Sequence, residues 1–325
     1  MKGRHSLWKR ARQVLTVAFF ILVPVLLFML LRNQDWGEVW QALTSYRPSV
    51  LLTALGFVAC SFTLYASYDL LGRRYSGHTL PARRVLPLAF VCYAFNLNLS
   101  AWVGGVALRY RLYSRLGLDT PTITRILGLG LVTNWLGYLL VAGSLFAMGF
   151  PRLPAGLEIG STGLRLIGIG MLLAALAYLL ACRFSRRREW QVRGQEIRLP
   201  SWRLALLQAL MGAGNWALMG LVVYTLLPDK AGYPTLLAIL MVSSIAGVIT
   251  HIPAGLGVLE SVFITLLQGQ YSQGTLLAAL IGYRAVYFLL PLLLALAVYL
   301  VLERLASRAG QTDRASPSAS SGRVG

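Results

Sequence analysis

The sequence predicts an all-α polytopic membrane protein with about six full spans and two oppositely oriented re-entrant hairpins, arranged as an inverted repeat. Of the 325 residues, 57% are hydrophobic and only 13% are charged, and the mean hydropathy is +0.64. Long apolar runs are separated by short stretches that hold most of the charge. This pattern is typical of polytopic membrane proteins and excludes an ordinary soluble globular domain.

The charge is strongly basic, with a net charge of +19 at pH 7 and a pI near 10.6. Arginine supplies most of it, since lysine occurs only at Lys2, Lys9 and Lys230. The basic residues lie between apolar segments, so membrane orientation and contact with anionic lipid headgroups explain them better than a nucleic-acid partner, and none is predicted. The preference for arginine fits phosphate recognition, although a coding bias would produce it equally well.

Six apolar runs are long enough to cross the hydrocarbon core, which needs about 17 residues or more. The first follows a basic segment, residues 1–13, that is predicted to be cytoplasmic. It is interpreted as an uncleaved span, because no small-residue cleavage site precedes Arg32. Residues 148–163 are predicted to form a periplasmic loop and residues 303–325 a disordered cytoplasmic tail. The predicted spans are residues 14–31, 50–71, 123–147, 164–182, 202–227 and 275–302.

Two successive arginine-rich loops predict the first hairpin. Residues 72–84 contain four arginines, and residues 109–125 contain four more. Positively charged loops favour the cytoplasmic side, so residues 85–108 must return to the side from which they entered. Each arm of about 12 residues, at about 1.5 Å per residue, reaches about 18 Å, close to mid-bilayer. The middle of the segment has the polar and glycine content of a hairpin tip, with Asn96, Asn98, Gly104 and Gly105.

A second hairpin, pointing the opposite way, is predicted at residues 233–268, because the basic tail can be cytoplasmic only if this segment also returns. Its apolar run is broken at Pro253, Gly255 and Gly257. Proline lacks an amide hydrogen, and glycine adopts dihedrals that end a helix. Backbone opened at membrane depth is tolerated where it lines a polar cavity. The alternative is a cytoplasmic turn between two ordinary helices.

The two halves of the chain then form an inverted repeat. Residues 14–147 give span, span, hairpin and span, and residues 164–302 give the same order with every direction reversed. Many secondary transporters have this organisation and bind substrate near the midplane, where broken helices meet. The sequence therefore favours a transporter-like architecture.

Ionisable and polar residues near the hairpins form the candidate binding site, since charge inside a bilayer is costly enough to be functional by default. Arg284 lies about nine residues into the last span, about 14 Å deep. It is expected to face a cavity, a carboxylate such as Glu260 or a bound phosphate, and a structural ion pair is the alternative. The candidate substrate-binding residues are Arg109, Arg111, Arg115, Asn96, Asn98, His251, Glu260 and Arg284.

Other polar residues within the apolar runs are given structural roles. Asp69 is interpreted as a capping residue close to Arg73. Asn134 and Asn215 are interpreted as residues that hold helices together. The three cysteines lack metal-ligand spacing and are interpreted as packing residues.

Catalytic and metal chemistry is not predicted. The sequence has no Gly-x-x-x-x-Gly-Lys phosphate loop, no Gly-x-Ser-x-Gly nucleophile motif and no metal-ligand cluster. An intramembrane acid and base at His251 and Glu260 is a weaker alternative, because nothing supplies a nucleophile beside them. No cofactor is expected.

Several motifs resemble the lysylphosphatidylglycerol synthase transmembrane-region family. They are Gly104-Gly105-x-x-x-Arg109, Asn134-Trp135-Leu-Gly-Tyr and Pro253-Ala-Gly255-Leu-Gly257-Val-Leu-Glu260, and the resemblance covers roughly residues 5–305. The family includes the membrane half of the multiple peptide resistance factor, which is thought to flip aminoacylated phosphatidylglycerol. The resemblance implies that Arg109 and Glu260 are motif positions.

The resemblance implies a bacterial inner-membrane protein that flips or carries phospholipids with anionic headgroups. The basic residues at both termini predict that each terminus is cytoplasmic. The soluble aminoacyl-transfer domain of the synthases is absent, so no enzyme activity is expected and the cargo need not be a lysyl-lipid. The alternative is a non-transporting accessory or lipid-binding protein associated with a phospholipid-synthesis enzyme. Oligomeric state is not predicted.

Overall fold

The computed structural model describes residues 37, 40–41, 44–98, 105–151, 160–186, 188–192, 195–228, 231–250, 252 and 255–315. These residues are almost entirely helical. The elements are α1 Pro48–Ala66, α2 Tyr68–Ser76, α3 Ala82–Asn98, α4 Leu108–Arg115, α5 Thr120–Ala147, α6 Gly160–Phe184, β1 Glu189–Val192, β2 Gln195–Arg198, α7 Trp202–Leu226, α8 Tyr233–Thr250, α9 Val258–Leu267, α10 Gln273–Arg284, a π-helical turn at Ala285–Leu289 and α11 Leu290–Ala315.

Six helices of the described chain are long and apolar enough to cross a membrane, which confirms the predicted all-α polytopic class. Five of them coincide with predicted spans. The sixth, α8, is the first arm of the second predicted hairpin, while the predicted span at residues 14–31 lies outside the described residues. The six helices are Pro48–Ser76, Thr120–Ala147, Gly160–Phe184, Trp202–Leu226, Tyr233–Thr250 and Gln273–Leu302.

Helices α3 and α4 form the first hairpin, and its two ends lie side by side. The ring of His78, just before α3, is 6.4 Å from the ring of Tyr113 near the end of α4. The Tyr75 hydroxyl at the end of α2 donates to the Arg198 carbonyl at the end of β2. This side of the bundle, which we call the arginine-rich end, comprises residues 73–84, 111–125, 183–186, 188–192 and 195–203.

Helices α8 and α9 form the second hairpin, which starts and finishes at the opposite end of the bundle. The Tyr271 hydroxyl, after α9, donates to the Pro228 carbonyl at 2.8 Å and accepts from the Ala231 amide at 2.8 Å, both before α8. At the same end, the Tyr46 hydroxyl donates to the Leu226 carbonyl at 2.7 Å. Whether the hairpins enter a bilayer from opposite faces, and whether the halves form a repeat, stay predictions.

Helix α11 continues beyond the apolar run through Ala315, into the segment 303–325 that was predicted to be disordered, and residues 316–325 lie outside the described part. The disorder of this tail stays a prediction. The predicted loop after α6 contains an antiparallel pair of short strands, in which Glu189 is opposite Arg198. This strand pair lies at the arginine-rich end.

Small residues allow the central helices to approach closely. A Cβ atom built on Gly137 of α5 would lie 2.1 Å from the Gly212 carbonyl carbon of α7. A Cβ atom on Gly168 of α6 would lie 2.4 Å from the amide nitrogen of Ala147. In a membrane the hydrophobic effect does not drive helices together, so close backbone approach and van der Waals packing hold them in contact. Helices α5, α6 and α7 are therefore closely packed against one another.

Candidate site between the two hairpin tips

A cavity of about 290 Å³ lies where the tips of the two hairpins meet. The first hairpin contributes Asn96 and Leu97, and the second contributes Ile252 and Gly255. Helices α5, α7, α8, α9 and α10 and the π-helical turn complete the lining with Asn134, Trp135, Tyr138, Trp216, Met219, Leu240, Ser243, Ser244, Ile245, Gly247, Val248, Leu259, Tyr283 and Phe288. The lining is therefore largely apolar with a few uncharged polar groups, the usual composition of a small-molecule site.

The second hairpin is broken at its glycine-containing segment, as the sequence predicted. Helix α8 ends at Thr250 and α9 begins at Val258. Gly255 and Gly257 have φ values of 56° and 77°, a left-handed conformation that glycine adopts without strain. The neighbouring candidates His251 and Pro253 lie outside the described residues.

A buried ion pair closes this break. Arg284 donates from Nε to Glu260 Oε1 at 2.6 Å and from Nη2 to Glu260 Oε2 at 3.1 Å. The same Nη2 donates to the Gly255 carbonyl at 3.1 Å, and the Gly257 amide donates to Glu260 Oε2 at 2.9 Å. Glu260 thus accepts from the start of its own helix and from the last span together. Of the partners expected for Arg284, the structure therefore shows the Glu260 carboxylate.

The ion pair lies behind the cavity wall. Neither Arg284 nor Glu260 is among the lining residues, but their immediate neighbours are. Gly255 accepts from Arg284, and the Phe288 ring centroid lies 5.6 Å from the Arg284 guanidinium carbon. The Arg284 guanidinium thus lies next to the cavity wall, in contact with the lining residues Gly255 and Phe288.

The candidate asparagines of the first hairpin have different environments. Asn98 donates from Nδ2 to the Ala94 carbonyl at 2.8 Å and to the Phe288 carbonyl of the π-helical turn at 3.2 Å, so it joins this tip to the last span. Asn96 lines the cavity. A Cβ atom on Gly105 would lie 2.7 Å from Asn96 Oδ1, so a larger residue there would have to displace the Asn96 side chain, while Gly104 lies outside the described residues.

Arg109 forms a second buried ion pair instead of facing the membrane surface. It donates from Nε to Asp69 Oδ2 at 3.1 Å and from Nη2 to Asp69 Oδ1 at 2.8 Å, and the Tyr113 hydroxyl donates to Oδ2 at 2.7 Å. Asp69 is 0% exposed, so the interpretation of Asp69 as a cap close to Arg73 is wrong. Burial requires a partner for this carboxylate, and Arg109 supplies it. A headgroup could reach Arg109 only if the pair opened.

The other predicted arginines of the first hairpin, Arg111 and Arg115, are exposed at the arginine-rich end. They lie far along α4 from the cavity tip, on the side of the bundle where the hairpin begins and ends. The structure therefore does not bring all the candidate residues together. Asn96 lines the cavity with Glu260 and Arg284 behind its wall, while Arg111 and Arg115 are at the surface.

His78 is a neutral structural residue beside the Asp69–Arg109 pair. Burial lowers the pKa of its imidazole, Arg73 adds to this, and Asp69 opposes it. Nδ1 accepts from the Leu80 amide at 3.3 Å, and Nε2 has no hydrogen-bond partner among the described residues. An imidazole with a lowered pKa is uncharged at neutral pH, so His78 does not add to the positive charge of this end.

A chain of buried hydroxyl groups links four helical elements, and the sequence analysis missed it. Ser61 of α1 donates to Asn215 Oδ1 at 2.8 Å and bonds the Tyr287 hydroxyl at 2.7 Å, which in turn bonds the Tyr93 hydroxyl at 2.9 Å. Asn215 therefore has the helix-joining contact that was predicted for it. The residues missed were tyrosines, because a tyrosine in an apolar run gives no signal of which partner it will meet.

Tyr283 is the exception among these tyrosines. It lines the cavity and is 1% exposed, and its hydroxyl has no hydrogen-bond partner in the described part of the protein. An unsatisfied buried hydroxyl costs about 1–3 kcal/mol. Its hydroxyl is therefore a donor without a partner among the described residues, carried by a side chain of the cavity wall.

We expect Tyr283→Phe to raise the free energy of unfolding by about 1 kcal/mol, because it removes an unsatisfied buried hydroxyl. The matched control is Tyr287→Phe, which removes a hydroxyl bonded to Ser61 and Tyr93. This variant should lower the free energy of unfolding by about 1 kcal/mol. Detergent-induced unfolding of the two purified variants measures both. Equal losses in both variants would contradict the assignment of Tyr283.

Metal binding has no support in the described residues, which contain no group of three or more His, Cys, Asp or Glu side chains able to hold an ion. Cys60, Cys92 and Cys182 are free thiols. The packing role predicted for the cysteines fits Cys92 and Cys182, which are buried, while Cys60 is exposed on α1.

The fold and this site define a class of protein: a multi-pass membrane protein with two helical hairpins around a cavity and a buried arginine–glutamate pair beside it. The chain belongs to the family described as "Lysylphosphatidylglycerol synthase TM region", which it matches over residues 13–295. The family resemblance found in the sequence is thereby confirmed.

Two relatives match nearly the whole chain. The chain is 50% identical over 309 residues to "Inner membrane protein YbhN" of Escherichia coli (strain K12), covering 95% of this chain and 97% of that protein. It is 28% identical over 299 residues to "Uncharacterized protein slr0712" of Synechocystis sp., covering 90% of this chain and 91% of that protein. Together with the apolar helices, the first of these relatives supports a multi-pass inner-membrane protein. The side on which each terminus lies stays a prediction.

Proposed function

We propose that the protein moves phospholipids with anionic headgroups across the inner membrane and that the headgroup passes through the cavity between the hairpin tips. The observation that carries this proposal is the meeting of two hairpins, which begin and end at opposite ends of the bundle, at one cavity beside the partly buried Arg284. Such an arrangement supports access from either end in turn.

The charges near the cavity support an anionic headgroup. The polar side chains of the cavity lining are neutral: Asn96, Asn134, Ser243, Ser244 and Tyr283. The Ser243 and Ser244 hydroxyls donate to carbonyls of their own helix, so Asn96, Asn134 and Tyr283 are the donors offered to phosphate oxygens. Arg284 contacts the lining residues Gly255 and Phe288 and is already paired with Glu260. A phosphate in the cavity would compete with Glu260 for the same guanidinium fork, which suits both groups.

This competition provides a way to couple headgroup binding to movement of the second hairpin. Glu260 and the Gly255 carbonyl hold Arg284, and both belong to the broken segment. When phosphate takes the guanidinium, the segment loses its two anchors on the last span. The Gly255–Gly257 turn can then move, since glycine permits the change in backbone dihedrals. Return of Glu260 to Arg284 would release the headgroup.

Transbilayer movement of labelled phosphatidylglycerol and phosphatidylcholine in proteoliposomes tests this function. We expect the wild-type protein to increase the rate of transbilayer movement of phosphatidylglycerol. Arg284→Ala and Glu260→Gln should each reduce this rate at least about tenfold, which corresponds to about 1.4 kcal/mol of lost interaction. Arg83→Ala removes an exposed arginine outside the cavity and serves as the control.

Unchanged movement in Arg284→Ala and Glu260→Gln would refute the roles of these residues. If folded wild-type protein retained phosphatidylglycerol without moving it, the accessory or lipid-binding alternative would replace transport. Size-exclusion profiles of each variant must match the wild type before rates are compared, because removing one partner of a buried pair also weakens the fold.

A further inference from the structure

A second cavity, of about 260 Å³, lies at the arginine-rich end and has no part in the function proposed above. Three arginines from three separate elements line it: Arg74 of α2, Arg125 of α5 and Arg198 of β2. We call it the arginine pocket. Tyr75, Ser76, Gly77 and Glu189 complete its lining.

The elements around the arginine pocket hold these arginines in place. The Tyr75 hydroxyl donates to the Arg198 carbonyl, which attaches the strand pair to α2. Helix α2 packs along α5, which carries Arg125. The pairing of β1 with β2 places Glu189 opposite Arg198, and the Arg198 Nε lies 3.2 Å from a Glu189 oxygen. The pocket is therefore assembled from distant parts of the chain and depends on the strand pair.

The charge of the arginine pocket is unbalanced. Among its lining residues, Glu189 alone is negative, against three guanidinium groups. The Arg198–Glu189 pair is largely exposed, so it contributes little to stability and can yield to a competing anion. Arginines gathered around one space repel each other, and an anion in that space would relieve the repulsion.

The size and donors of the pocket indicate the ligand. Pockets for drug-sized molecules are about 300–1,000 Å³, so this one suits a smaller group. Arginine forks match the planar, bidentate recognition of phosphate oxygens. We propose that the arginine pocket binds a phosphate group, either free in solution or as the headgroup of an anionic lipid. The proposal is independent of transport through the central cavity.

Three variants of the full chain test this proposal. The first is the triple substitution Arg74→Gln, Arg125→Gln and Arg198→Gln. The matched control removes the same charge from exposed arginines at the same end but outside the pocket, Arg83→Gln, Arg84→Gln and Arg188→Gln. The third variant, Glu189→Gln, removes the negative charge of the lining and frees donors of Arg198.

Binding is measured with two probes that separate the sources of phosphate. Isothermal titration of inorganic phosphate into detergent-purified protein reports a soluble ligand. Native mass spectrometry of protein released from nanodiscs of phosphatidylglycerol and phosphatidylcholine reports lipid that stays bound. Dependence of the first signal on the pocket identifies free phosphate, and dependence of the second identifies the lipid headgroup.

We expect the pocket triple variant to weaken binding of at least one probe by about tenfold or more, and the control triple to change it less than about twofold. Glu189→Gln should strengthen binding by about threefold, because an exposed ion pair no longer competes. Equal effects of the two triples would overturn the proposal. If the pocket triple does not fold, Glu189→Gln decides, and unchanged or weaker binding in that variant overturns the proposal.

Discussion

Replacing Arg109 with alanine is expected to lower the free energy of unfolding by about 3–5 kcal/mol, because it leaves a buried carboxylate without its partner. Asp69 is 0% exposed and Arg109 is 7% exposed, and the two side chains form a bidentate pair. The pair joins α2 to the second arm of the first hairpin, so its loss should also loosen that hairpin. Detergent-induced unfolding of purified protein measures the change.

A double variant separates the lost pair from the loss of charge. Asp69→Asn combined with Arg109→Gln keeps hydrogen-bonding groups and removes both charges, so it should cost less than the sum of the two single variants, by about 0.5–3 kcal/mol. Arg84→Ala, on an exposed residue, is the control and should change the free energy by less than about 0.5 kcal/mol. A cost for Arg109→Ala as small as this control would contradict the buried pair.

The class of the protein and the positions of its helix breaks could be predicted from the sequence. Spans follow from the length of apolar runs, and the need for hairpins follows from arginine-rich loops that succeed one another along the chain. The breaks at Gly255 and Gly257 are local, because the conformational freedom of glycine does not depend on distant contacts. Predictions of this kind need only neighbouring residues.

The partners of the charged residues were harder to predict, because they depend on helix rotation and on contacts across the bundle. Asp69 and Arg109 are 40 positions apart, and a sequence gives no direct measure of which helix faces meet. Asp69 was therefore assigned to the nearby Arg73. For Arg284, the depth in the span restricted the partners enough that Glu260 was among them. The short strand pair was missed because an arginine-rich loop gave no strand pattern.

The cavity itself could be predicted only in outline. Broken helices and buried charge predicted a space near the midplane, but the ion pair lies behind its wall while neutral side chains form its surface. This follows from the cost of an exposed charge in a low-dielectric space, which pairing and a covering layer reduce. The substrate roles of these residues stay predictions until the transport rates of Arg284→Ala and Glu260→Gln are measured.

Gly137→Ala is expected to lower the free energy of unfolding by about 3 kcal/mol or more, because the added methyl group overlaps backbone rather than a side chain that could move. Its Cβ would lie 2.1 Å from the Gly212 carbonyl carbon and 2.5 Å from the Gly212 Cα. Helices α5 and α7 would have to separate, and this would disturb Trp135 and Trp216 on the cavity wall. Detergent-induced unfolding again measures the loss.

The matched control for Gly137→Ala is Gly130→Ala, on the same helix. A Cβ atom at Gly130 meets nothing within 4 Å. Alanine is a better helix former than glycine by about 1 kcal/mol, so Gly130→Ala should be neutral or stabilising. The two variants make the same chemical change two helical turns apart, and opposite signs are expected because only Gly137 faces another backbone. If both variants were neutral, the close contact of α5 and α7 would be wrong, and with it the wall that these helices give the cavity.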